Sequence, residues 1–198
     1  MKIHVVRTGV ANLASVLAAL ERAGAEPVLA SDADEIGAAD RLVLPGVGAF
    51  GAAMGELRRL GIVEALQQRI RAARPTLTVC LGLQLLAASS EESPGEAGLG
   101  VVDAAVTRFQ GEVRVPQMGW NDVQPEPGAR WVRPGFAWFA NTFKLDRIPA
   151  GWTGAMADHG GSFVAAIERG EVLACQFHPE LSGAWGAELL RRWVGGRC

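Results

Sequence analysis

Two short stretches of this chain hold side chains that could carry out nucleophilic chemistry together. The first is Thr78-Val79-Cys80-Leu81-Gly82-Leu83-Gln84, where a cysteine closes an apolar run just ahead of Gly82 and an expected helix. A strand that turns sharply into a helix pushes its turn residue out of the sheet and sets it at a helix N-terminus. There the dipole and the free backbone N–H groups favour a thiolate. The second stretch is Phe177-His178-Pro179-Glu180, which supplies an imidazole and a carboxylate two residues apart. On an extended chain such residues face the same way. A thiol, a base and a group to orient the base are the parts of an acyl-transfer site. Alone, a cysteine in an apolar run is a small core residue and a lone histidine is usually structural, so the weight rests on their joint occurrence. Cys175 and Cys198 are given no chemistry.

A third stretch, Leu42-Val43-Leu44-Pro45-Gly46-Val47-Gly48, ends an apolar run at a proline and then alternates two glycines. Glycine lets backbone approach a ligand closely and lets a peptide plane turn over. Such a loop can aim N–H groups at a developing oxyanion.

Together these elements resemble the class I (triad) glutamine amidotransferases. Within that class, Val115-Pro116-Gln117-Met118-Gly119-Trp120-Asn121, with Asn12-Leu13 after the first strand, is similar to the glutaminase subunits of imidazole glycerol phosphate synthases. The resemblance runs over essentially the whole chain. It implies an α/β, flavodoxin-like fold with a central, mostly parallel sheet, helices on both faces and an added antiparallel region in the second half. It implies Cys80 as nucleophile, His178 as base and Glu180 as orienting carboxylate. Leu81 and the Gly46-Val47-Gly48 loop would supply the oxyanion N–H groups. Gln84 and Asn141-Thr142-Phe143 would hold the glutamine substrate. It further implies a partner, a separate β/α-barrel cyclase that receives ammonia, with Asn12, Met118, Trp120, Asn121 and Trp138 at the interface. No cofactor and no metal are expected.

Four stretches of the chain depart from the resemblance. Thr78 stands where the class usually has glycine, and Asn141-Thr142-Phe143 where it often has His-Ser-Tyr. Leu181 replaces a usually basic residue that pairs with the cyclase. Arg7 stands where an acidic residue is common.

The elements that must position these groups read as one α/β domain over residues 1–198. Lys2 to Val6, Pro27 to Ala30, Arg41 to Leu44 and Leu77 to Val79 are strand candidates. Asn12 can cap a helix with Leu13, Val16, Leu17 and Leu20 on its apolar face, ended by Gly24. Ala52 to Ala73 reads as two helices broken near Gly61, and Gly82 to Ala88 as the helix after Cys80. Strand–helix alternation predicts a parallel sheet whose ligands bind at the carboxyl ends of its strands. The second half reads as more extended: Val101 to Phe109, Glu112 to Val115, Trp138 to Leu145, Ser162 to Glu168 and Val172 to Phe177. A hairpin is expected at Gly170-Glu171, and Ala184 to Val194 closes the chain as a helix.

Composition narrows the classes. The 198 residues are 49% hydrophobic and 20% charged, with a net charge of −2, which gives no reason to expect a nucleic-acid partner. No run reaches the length of a membrane span, and no leader is expected, because Lys2 opens a strand-like run. Three cysteines without regular spacing argue against a disulfide framework or zinc site. A reducing cytoplasm suits a free reactive thiol.

Overall fold

Apolar strands alternating with amphipathic helices build a twisted sheet sandwiched between two helical layers. The computed structural model describes residues 1–7 and 13–196. In chain order the elements are β1 (Lys2–Val6), α1 (Leu13–Arg22), β2 (Glu26–Ala30), α2 (Ala33–Ala38), β3 (Leu42–Gly46), α3 (Phe50–Arg59) and α4 (Val63–Arg71). Then come β4 (Thr76–Cys80), α5 (Leu81–Gln84), β5 (Ser89–Ser90), β6 (Ala105–Arg108), β7 (Gln117–Pro125), β8 (Gly135–Asn141) and β9 (Phe143–Lys144). The chain closes with β10 (Thr153–Asp158), β11 (Ser162–Arg169), β12 (Val172–Cys175), a short 3-10 helix (Pro179–Leu181) and α6 (Gly183–Gly195).

Among the described residues the main sheet has nine strands in the order β2-β1-β3-β4-β12-β11-β10-β7-β8. The first five run parallel, and β11, β10, β7 and β8 add antiparallel strands. Strands β5, β6 and β9 form a second small sheet. Alternation along each strand splits the core in two. Ile3, Val5, Leu77, Val79 and Leu173 face Leu20 of α1 and Leu189 and Trp193 of α6. Leu42, Leu44, Val172 and Ala174 face Ile36, Phe50, Leu57, Leu66 and Ile70 of α2 to α4. Each face removes a continuous apolar layer from water, the dominant favourable term in folding.

The parallel register sets the site. Gly46 pairs with Cys80, and Cys175 pairs with Val79. The carboxyl ends of β3, β4 and β12 therefore finish side by side.

Several elements differ from their expected form. The helix after Cys80 is one turn, Leu81–Gln84, and the chain then turns through Leu86 and Ala87 instead of continuing to Ala88. Residues 112–115 are not a strand; they lie between Gly111, at φ +84, and Pro116, which has no N–H to give a ladder. Of the extended run expected from Val101, only Ala105–Arg108 is strand. Helix α2 was not foreseen, though Asp32 caps it by accepting from the Glu35 N–H at 2.9 Å while Glu35 accepts from the Ser31 N–H at 2.8 Å. An Asp followed three residues later by Glu is a readable start signal. Strand β10 was also missed, because Gly154 and its alanines carry little strand propensity. Gly154 is there for closeness, since a Cβ would sit 2.1 Å from the Ala166 carbonyl oxygen on β11. The Asn12 cap lies outside the described residues.

Candidate active site

Cys80 is the last residue of β4 and the N-cap of α5, at φ 54 and ψ −110. Only one other described non-glycine residue, Ala73, has positive φ. A non-glycine residue held there costs of order 1–3 kcal/mol and persists only where the surroundings over-determine it. The surroundings do so by glycine. A Cβ on Gly82 would lie 2.5 Å from the Leu44 carbonyl oxygen, and one on Gly46 would lie 2.7 Å from the Gly82 nitrogen. β3 and the elbow thus touch backbone to backbone. Thr78 fits beneath the elbow, fully buried, with its Oγ1 unpartnered among the described residues. The departure at position 78 is accommodated at the cost of one orphaned hydroxyl.

His178 follows β12 and is clamped from β8. Its N–H donates to the Trp138 carbonyl at 2.9 Å. Ser182 Oγ donates to the His178 carbonyl at 2.6 Å and accepts from the Trp138 N–H at 2.9 Å. His178 Nδ1 meets Glu180 Oε1 at 2.9 Å. That contact assigns the proton on Nδ1 and leaves Nε2 for the thiol side. Burial alone would lower the imidazole's pKa. Hydrogen bonds and charge from Cys80 and Glu180 outweigh it and raise the value to about 10.

A cavity of about 280 Å³ opens between these groups. Cys80, Leu81, Gln84 and His178 form one wall, Val47 and Gly48 another, and Ala140 to Phe143 the third, with Glu92 at its edge. Gly48 sits at φ +99, and among the described residues neither Val47 nor Gly48 donates a turn hydrogen bond. Among the described residues nothing competes with a ligand for their N–H groups. A larger hollow of about 520 Å³ beside α2 and α4 is lined by no cysteine or histidine, whereas Cys80 and His178 both line the smaller cavity.

The structure therefore gathers Cys80, His178, Val47, Gly48, Leu81, Gln84, Asn141, Thr142 and Phe143 around one space, with Glu180 behind His178 and Gly46 against the elbow. Three residues not anticipated from sequence join them. Gln176, fully buried, places its Nε2 3.8 Å from Cys80 Sγ. Glu92 accepts from the Phe50 N–H at 2.7 Å on the cavity edge. Ser182 fixes the His178 turn. A glutamine inside the otherwise apolar stretch from Val172 to Phe177 was the available signal for the first.

The expected interface residues divide. Met118 and Trp120 are exposed on one face of β7, and Trp138 is half-buried opposite Trp120, with ring centroids 5.9 Å apart. Asn121 lies on the other face of β7, with Gln117 and Val123, and its Nδ2 donates to the Asp158 carbonyl at 2.7 Å. Strand alternation separates it from the tryptophans. Asn12 lies outside the described residues. Phe136, paired with Asp122 and exposed, and Leu181 extend the same apolar surface.

Among the described residues no group of three or more His, Cys, Asp or Glu side chains is placed to hold a metal ion. No described helix is long and apolar enough to cross a membrane.

The chain is similar to known proteins. The family described as glutamine amidotransferase class-I matches residues 9–194. A protein of Symbiobacterium thermophilum named imidazole glycerol phosphate synthase subunit HisH is 38% identical over 196 residues, covering 97% of this chain and 92% of the relative. Another so named, from Thermosynechococcus vestitus, is 42% identical over 200 residues, covering 97% and 95%. Among solved structures, a glutamine amidotransferase superposes with a TM-score of 0.76 at 23% identity, covering 97% of each chain. The structure of PurLQS from Thermotoga maritima gives a TM-score of 0.73 at 16% identity, covering 98% of this chain and 97% of the other. At such identities the structures speak for the fold, whereas the family match and the relatives at about 40% identity speak for descent. On those matches the chain belongs to the class I glutamine amidotransferase family, beside the HisH subunits of imidazole glycerol phosphate synthase.

Proposed function

We propose that this chain is the glutaminase subunit of an imidazole glycerol phosphate synthase, with Cys80, His178 and Glu180 as its catalytic triad. One observation carries the reading: Cys80 is held at a strained elbow on the cavity that His178 also lines, and His178 is itself braced by Glu180 at 2.9 Å. Cys80 Sγ attacks the side-chain carboxamide carbon of glutamine. His178 Nε2 takes the thiol proton and delivers it to the leaving nitrogen, which departs as ammonia. Glu180 accepts from Nδ1–H, fixes the tautomer and stabilises the imidazolium. The negative charge on the tetrahedral oxygen meets the Leu81 N–H and an N–H of the Gly46-Val47-Gly48 loop. One such donor typically contributes ~2.7–4 kcal/mol to lowering the barrier. Water then cleaves the thioester to glutamate. Gln84 and Asn141-Thr142-Phe143 hold the rest of the substrate.

Ammonia released into water would be protonated and lost to chemistry. The use we assign it is in a β/α-barrel cyclase partner that makes imidazole glycerol phosphate and an aminoimidazole carboxamide ribonucleotide, in a reducing cytoplasm. The apolar surface of Met118, Trp120, Phe136 and Leu181, respectively 67%, 55%, 61% and 42% exposed, supports a docked partner. β8 joins that surface to the cavity, since Trp138 holds His178 and Ala140 lines the cavity.

Glutamate release, measured against added cyclase with and without its nucleotide ligand, tests the proposal. Release should rise with partner and saturate near one-to-one. No release under any of these conditions, with Cys80 intact, would leave an inactive scaffold in its place.

A further inference from the structure

Four polar groups around Cys80 form a single directed chain, and its direction is set by one backbone carbonyl. The Phe143 carbonyl oxygen accepts from Gln84 Nε2 at 2.9 Å and from Asn141 Nδ2 at 3.0 Å. A carbonyl can only accept, so both amides must turn their nitrogens toward it. Gln84 Nε2 also donates to Gln176 Oε1 at 3.0 Å. The Gln176 amide is thereby oriented too, with its Nε2 toward Cys80 Sγ at 3.8 Å. Both N–H bonds of Gln84 are then used, and its Oε1 has no hydrogen-bond partner among the described residues, on a side chain that lines the cavity. Asn141 Oδ1 is buried and unpartnered among the described residues, on the same cavity wall.

We infer that Gln176 is a positioning residue for the proposed glutaminase. Its carbonyl end is the second acceptor, beside the Phe143 carbonyl, that holds the Gln84 amide with its oxygen toward substrate, and its N–H end donates to the Cys80 sulfur. The inference rests on Cys80 being the nucleophile. It accounts for a polar side chain that is 0% exposed in an apolar strand end. It also supplies support for the sulfur that a helix of only four residues, Leu81–Gln84, does not. Among the described residues the titratable groups that line the cavity with Cys80 are His178, with Glu180 behind it, and Glu92. Among the described residues no lysine or arginine lines the cavity. A neutral donor on the sulfur therefore has little competition.

Two substitutions separate the two ends of Gln176. Gln176→Glu keeps an acceptor for Gln84 but brings a titrating acid to the sulfur. Gln176→Met fills similar space with neither function. The measurement is iodoacetamide alkylation of Cys80 in the full-length protein across pH, with the Cys80→Ala rate subtracted. It is paired with glutamine kinetics of the chain in complex with its cyclase and with a melting curve for each variant. Both variants should move the alkylation midpoint upward by roughly half to one pH unit, up to about tenfold in reactive thiolate below the midpoint. KM for glutamine should rise roughly 3–10-fold in Gln176→Met and stay within about twofold in Gln176→Glu, as expected for loss or retention of one hydrogen bond. If neither Gln176 variant folds, Gln84→Met breaks the chain one link earlier and should move the midpoint the same way by less. A midpoint unmoved in folded variants, even with a lowered melting temperature, would make Gln176 a space-filling core residue and overturn the inference. Wild-type alkylation no faster than the Cys80→Ala background is a different result, one that removes the nucleophile and the triad together.

Discussion

At His178 the cost of burying the imidazole is offset by two neighbours, and the balance can be tested one neighbour at a time. Contact with Cys80 and Glu180 raises its pKa from 6.5 to about 10. A base held above its unfolded value contributes stability that is whole below pH 6.5 and is lost as pH rises through about 10. The alkaline limb of activity reports the same proton as a property of the Cys80–His178 pair. Glu180→Gln removes one of the raising groups, so that limb in kcat/KM should move to lower pH, by roughly one unit for a lost carboxylate contact. The same variant should keep more activity at neutral pH than His178→Ala, because an orienting group contributes less than the base. Equal losses with a matching fall in melting temperature would make Glu180 a structural residue. Residue type and spacing single out Cys80, His178 and Glu180 in the sequence, and the structure brings the three together. Type and spacing did not find Gln176, whose role depends on β12 ending beside β4. They also do not show that alternation puts Asn121 on the opposite face of β7 from Trp120.

The elbow is the element where packing and chemistry meet. Gly82→Ala would drive a Cβ to 2.5 Å from the Leu44 carbonyl oxygen and 3.3 Å from Thr78 Cβ. That should cost about 1–3 kcal/mol of stability and displace Cys80 from the oxyanion N–H groups, lowering kcat more than it raises KM. Thr78→Val changes the same spot in the other direction. It keeps the shape and removes a buried, unpartnered hydroxyl, so it should stabilise by roughly 1 kcal/mol and raise the melting temperature by about 2–4 °C. A melting temperature that falls instead would show that Thr78 Oγ1 has a partner. At this scale the parallel half of the sheet was legible, because β1, β3 and β4 are apolar runs separated by periodic helices. Elements that rely on contacts from elsewhere were not. β10 is held by the close approach of Gly154 to Ala166, and α5 stops at Gln84 because the chain turns there to pack against residues 98–102.

For the whole molecule, the open question is what covers the apolar surface of β7 and β8. Trp120 lies over the start of α6, where a Cβ on Gly183 would touch its ring at 3.6 Å. Aromatic anchors of this kind dominate interfaces, so Trp120→Ala should weaken association with the cyclase by about 2 kcal/mol, near thirtyfold. Glutaminase activity at saturating partner should change less than the affinity does. Leu181, in place of a basic residue, would make the proposed contact less ionic, so association should depend weakly on salt. An unchanged Kd for Trp120→Ala would move the interface elsewhere. The central claim is that this chain frees ammonia at Cys80 for use in a second protein. The most direct test is product formation by the complex of Cys80→Ala with the cyclase, supplied first with glutamine and then with an ammonium salt at alkaline pH. No product should form from glutamine, and the rate with ammonium should equal that of the wild-type complex. Turnover of glutamine near the wild-type rate would contradict the claim.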